Sequence, residues 1–105
     1  MKPIDYKIAQ ELKTMIAQVV ELIDFRVYGS KARGDDDEYS DMDVFVEVLS
    51  LDKKIKEDIA DISWEVGLKN LLVISPLVFS KDEIENTPLR VSPIVKNIYD
   101  QGVRI

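Results

Sequence analysis

The residues able to do chemistry lie close together. Gly29 and Ser30 end an apolar segment, ten residues intervene, and Asp41 and Asp43 then straddle one residue at the head of a valine-rich run. Successive side chains of a β-strand point to opposite faces, so the two aspartates share a face with Cα atoms roughly 6.6 Å apart. Carboxylates at that distance can converge on one divalent cation, and hard oxygen ligands suit Mg²⁺. The Gly-Ser turn offers backbone N–H groups, a hydroxyl and close backbone approach, which suit phosphate oxygens. Alone, Gly-Ser reads as an ordinary tight turn and Asp-x-Asp as an exposed strand end. Their conjunction between two apolar strands points to a nucleoside triphosphate.

Composition removes most other chemistries. The chain has no cysteine, so neither disulfides nor thiolate metal sites are possible. It has no histidine either, which excludes Ser-His and Cys-His mechanisms and imidazole zinc ligation. Catalysis must run on carboxylates, hydroxyls, Lys/Arg and bound metal. A length of 105 residues with 46% apolar and 32% charged residues predicts a single globular domain over 1–105. A net charge of −6 argues against an extended nucleic-acid surface, although it leaves room for a nucleotide whose charge a cation carries. The acidic run Asp35-Asp36-Asp37-Glu38 reads as a solvated loop tip rather than a ligand set. No apolar run approaches the ~20 residues of a membrane span, and the first residues open no signal-type segment, so a cytoplasmic location is expected.

Gly29-Ser30, ten residues, then Asp41-x-Asp43, with Arg33-Gly34 and Ser40 between, resembles the signature of the minimal nucleotidyltransferases of the DNA polymerase β superfamily. The match covers about residues 25 to 48. The resemblance implies a small α/β (α+β) fold with a mixed sheet, binding of Mg-ATP, and transfer of a nucleotidyl group to a hydroxyl. Many proteins similar to this family are antitoxins that modify a tyrosine of a helical HEPN-type toxin with AMP, which makes such a partner, in complex, the implied one. By the same resemblance Gly29 and Ser30 would hold the β- and γ-phosphates. Arg33 would contact phosphate, and Ser40 would cap the turn or touch the nucleotide. Asp41 and Asp43 would ligate the metal pair that polarises the α-phosphate.

One family element is missing. A third carboxylate usually sits on a later strand, here Leu71 to Phe79, which holds no acid and only Ser75 as a polar side chain in its middle. Glu47 shares the aspartate face but lies roughly 13 Å beyond Asp43. Asp82 and Glu83 follow the strand, and Asp61 and Glu65 belong to a helix. A partner carboxylate completing the site, slow transfer by two acids, and binding without turnover all remain open. Lys31 beside the turn does not make a P-loop, since no Gly-x-x-x-x-Gly-Lys pattern is present. Tyr28 is expected to pack at a sheet edge.

The elements that must position these residues follow from periodicity. Ile8, Leu12, Met15, Val19 and Leu22 recur at helical spacing. Phe25 and Val27 mark a strand ending at Gly29. In the next strand Met42, Val44, Val46 and Val48 face one way, against helices. Asp41, Asp43, Phe45 and Glu47 face the other, toward solvent or ligand. Leu51, Ile55, Ile59, Ile62 and Val66 mark a second helix ending near Gly67 or Asn70. Pro76 suits an edge strand. Ser80-Lys81-Asp82-Glu83 is a capping box, and a last helix spans Pro93 to Gln101 with Gly102 as its stop. The result is one mixed sheet with helices on one face.

Ala60, Trp64 and Leu68 form a second apolar strip on the helix side opposite Ile55 and Ile62. It is expected to lie under the C-terminal segment, with a protein interface as the sharper alternative. Three functions follow: a transferase acting as an antitoxin, a catalytically degenerate module that neutralises its partner by binding, and a stand-alone enzyme modifying a small molecule. Small size weighs against the third.

Overall fold

A computed structural model describes all 105 residues. In chain order the elements are α1 (Pro3–Ala17), β1 (Leu22–Tyr28), α2 (Ser30–Arg33), β2 (Met42–Val48), α3 (Lys53–Lys69), β3 (Ile74–Ser80), α4 (Lys81–Asn86), a 3₁₀ turn (Pro88–Val91), α5 (Pro93–Gln101) and β4 (Val103–Arg104). The four strands form one mixed sheet in the order β3-β2-β1-β4. β1 runs antiparallel to β2 and β4, whereas β2 and β3 are parallel. A parallel neighbour requires a crossover, and α3 supplies it.

Local signals set the helix ends. The Asp52 carboxylate accepts from the Ile55 N–H at 2.8 Å and starts α3. The Ser80 hydroxyl and Glu83 side chain cap α4 reciprocally, as the capping box predicts. Helix α1 ends before Val19, and Leu22 opens β1, so neither belongs to the stripe their spacing predicts.

The valine face is the main core. Phe25, Val27, Val44, Val46 and Val48 bury against Leu12 and Ile16 of α1 and Ile59 and Val66 of α3. Both long helices therefore lie on one face, as the patterning requires, whereas α4 and α5 pack on the other, so helices cover both faces of the sheet and not the single face expected. The aspartate face is open at only one end. Phe45 is fully buried with Ile84, Val95 and Ile98 beneath α4 and α5, and its ring lies 5.7 Å from that of Tyr99. Glu47 is buried as well, and that burial, reinforced by the charges of Asp24 and Glu85, raises its pKa. No helix is long and apolar enough to cross a membrane.

Two short elements escape periodicity. β4 is only two residues long and pairs Arg104 with Arg26 and Val103 with Val27 on the free edge of β1. Leu71 adopts φ +57°, a left-handed conformation unusual for a bulky residue, so β3 begins at Ile74 instead of Leu71.

Candidate active site

The open end of the aspartate face is built by two strand ends and a turn. Tyr28 closes β1 and lies opposite Asp43 in the antiparallel register. Gly29 follows at φ +74° and ψ −152°, a region accessible in practice only to glycine. A Cβ there would also sit 2.9 Å from Asp43 Oδ2. The backbone of the turn is thus brought against the Asp43 carboxylate.

Ser30 begins α2, a single helical turn where the sequence predicts only loop. The Arg33 N–H bonds to the Gly29 carbonyl at 3.1 Å, and Gly34 at φ +80° closes the turn. The N–H groups at the start of such a turn have no partner within it.

Asp41 is exposed just before β2, and Asp43 is half-buried within it. Burial raises the Asp43 pKa, and the Asp41 charge raises it further. Tyr28 is likewise raised, by burial first and by Asp43 second. A divalent cation would relieve this concentration of negative charge, and the donors are oxygens of the kind Mg²⁺ takes. The chain nevertheless assembles no group of three acids. Asp43 faces Ser75 across the parallel β2–β3 pair, and Ile74–Ser80 contains no carboxylate.

Arg33 is exposed and its Nε lies 3.1 Å from Asp35 Oδ2. The Ser40 hydroxyl accepts from the Asp37 N–H at 3.1 Å and lies 3.3 Å from Asp37 Oδ1. Both contacts lie within the loop that leads into β2. Beside the turn runs a cleft of about 340 Å³ lined by Tyr28, Gly29, Arg33, Ile94, Asn97 and Ile98. Ile94 and Asn97 carry no signal in the sequence. Only the return of α5 to the end of β1 brings them here.

The acidic run is not uniformly solvated. The Asp36 side chain is 2% exposed and its Oδ2 lies 3.0 Å from Lys31 Nζ and 3.3 Å from Lys2 Nζ. Lys31 also reaches Asp5 of α1 at 3.4 Å. The bond from Lys31 holds the Asp36 pKa low against the opposing effect of burial. A charge run is solvated on average, but a lysine on the adjoining helical turn draws this one aspartate inward. Lys31 therefore ties α1, α2 and the loop together and faces away from the open site.

The geometry agrees with what this chain is similar to. The model of the family described as "Nucleotidyltransferase domain" matches residues 6–104. "Putative protein adenylyltransferase MJ0141" of Methanocaldococcus jannaschii is 38% identical over 73 residues, 62% of this chain and 74% of that protein. Among solved structures, a toxin–antitoxin crystal structure with AMP-PNP superposes with a TM-score of 0.63 at 16% identity. The match covers 92% of this chain and 70% of that one. A structure described as that of a "putative minimal nucleotidyltransferase" gives 0.64 at 16% identity, covering 92% and 88%. The fold is shared with both, and the nearly full-length family match is decisive: this chain belongs to the nucleotidyltransferase domain family.

Proposed function

We propose that the protein is a Mg-ATP-dependent adenylyltransferase whose acceptor is a protein hydroxyl, a tyrosine of a helical HEPN-type toxin, and that it acts as the antitoxin of that pair. The observation that carries the reading is the apposition of Gly29 and Asp43, which sets the backbone of the Gly-Ser turn against a two-carboxylate strand end. The adenylyltransferase name of the archaeal relative and the toxin–antitoxin neighbour support the acceptor class.

Gly29 and Ser30 hold the terminal phosphates, and Arg33 offers them positive charge. Asp41 and Asp43 hold Mg²⁺, which when bound neutralises charge on the α-phosphate and the leaving pyrophosphate. The acceptor oxygen forms a bond to the α-phosphorus while the bond from that phosphorus to the bridging oxygen breaks. Pyrophosphate leaves and the hydroxyl proton passes to water at the open side, since β3 supplies no acid to take it. Ser40 keeps the loop between turn and strand in place.

Ser75 opposite Asp43 favours a second reading, a degenerate domain that neutralises its partner by complex formation alone. The intact mass of the co-expressed partner decides between them. Added nucleotide units with the wild type, absent with Asp41→Asn/Asp43→Asn, are expected. An unmodified partner in a stable complex would overturn transfer and leave the binding module.

A further inference from the structure

Away from the turn, the side of α3 opposite the core is not covered by the C-terminal segment, which instead forms β4 beside β1. The expected cover is absent, and Trp64 is 71% exposed and Leu68 64%. With Leu71 and Val73, 90% and 58% exposed, they line a groove of about 260 Å³ between the end of α3 and the start of β3. Gly67 lets the chain pass this close, because a Cβ there would lie 2.6 Å from the Leu72 carbonyl oxygen.

Three further observations bear on what fills the groove. The Ser63 hydroxyl lines it, is buried and has no hydrogen-bond partner, a costly state that an incoming polar group would relieve. Leu71 holds its side chain at the rim from a strained left-handed backbone, where glycine or asparagine would sit more easily. Finally, the Val73 carbonyl accepts from the Met42 N–H at 2.9 Å, so one wall of the groove is joined through the backbone to the residue between Asp41 and Asp43.

Size and charge select the occupant. The exposed apolar side chains Trp64, Leu68, Leu71 and Val73 fall well short of the roughly 20–30 residues a side of a standard interface. That suits one segment of a partner better than a second copy. Along α3, Asp61 and Glu65 flank Trp64, are exposed and make no ion pair. Asp41 adds a third negative charge at the far end, against Lys56 as the one lysine of α3 without an ion pair, since Lys53, Lys54 and Lys69 are paired with Glu57, Asp58 and Glu11. A second copy, also of charge −6, would be repelled there.

We infer that this groove docks an amphipathic, basic-flanked helical segment of the partner protein and leads it toward Asp41 and Asp43. The direction rests on the transfer reading; occupancy of the groove does not. Trp64 is the only tryptophan of the chain and reports directly. The probe is a synthetic Leu/Lys amphipathic helix carrying one tyrosine, with a Leu/Glu counterpart as control, titrated into the full chain. A saturable blue shift of Trp64 emission is expected with the lysine peptide only. Leu68→Asp should weaken it about tenfold. Leu71→Gly should weaken it as well while leaving the melting temperature unchanged or higher, because glycine accepts the left-handed backbone. Equal response to both peptides, or unaltered affinity in Leu71→Gly, would overturn the proposal. So would a dimer in sedimentation that Leu71→Gly dissolves, which would make the occupant a second copy. Docking that survives Asp41→Asn/Asp43→Asn, with no nucleotide added to the co-expressed partner by the wild type, would sink the transfer reading and leave the groove's role standing.

Discussion

Asp43 is held in a costly state: half-buried, opposite Tyr28 and next to the charge of Asp41. Its pKa is raised in the folded chain, so folding favours its protonated form. The destabilisation is therefore fully present above the folded pKa and absent below the unfolded value near ~3.9. Asp43→Asn is expected to raise the melting temperature at pH 7, with the gain shrinking as pH falls through the carboxylate range, read by thermal denaturation across pH. Mg²⁺ should stabilise the wild type and not this variant, since the cation would relieve the same repulsion. Gly29 carries the opposite kind of constraint. Gly29→Ala puts a methyl group on Asp43 Oδ2 and a side chain in a region that excludes it. A loss of about 1–3 kcal/mol in urea unfolding, together with loss of ATP binding, is expected.

Between elements, register decides what the site contains. The parallel β2–β3 pair sets Ser75 beside Asp43, so the missing acid has a defined address. In Ser75→Asp, repulsion between neighbouring carboxylates should lower the melting temperature without metal. Mn²⁺ or Mg²⁺ should bind about tenfold more tightly, and both signs can be read in one thermal-shift titration with metal. Lys31 acts between α1, α2 and the loop. Lys31→Met leaves Asp5 without a cation and Asp36 with only the half-exposed Lys2, so a lower melting temperature is expected. Because the Asp36 pKa is lowered, its share of stability is present above ~3.9 and is lost as pH falls through the folded value, so the two proteins should converge in acid. Such contacts mark the boundary of what a sequence discloses. Helix spacing, the Ser80 capping box, Pro76 at the edge and the Gly-Ser/Asp-x-Asp pairing are local and could be read. The burial of Phe45 and Glu47 under α4 and α5, the inward turn of Asp36, the two-residue β4 and the place of Asn97 depend on residues far apart in the chain. No local pattern encodes them.

At the scale of the molecule, charge and edges govern encounters. A chain of net charge −6 that docks a basic segment should bind it more slowly and more weakly as ionic strength rises, whereas apolar self-association would be little changed or strengthened. Stopped-flow Trp64 fluorescence from low to high salt measures this directly. The sheet has two outer strands, and they end differently. β4 is too short to recruit another strand, whereas β3 is seven residues long and faces outward along its length. Pro76 sits in its middle with no N–H to offer. Without it, Leu72 to Phe79 would be an almost unbroken apolar, β-branched segment on an open edge, the kind of template on which fibrils grow. Pro76→Val is therefore expected to keep the fold and to shorten the lag of thioflavin-positive aggregation at high concentration. A single imino acid keeps the strand that neighbours the two aspartates from becoming a seed.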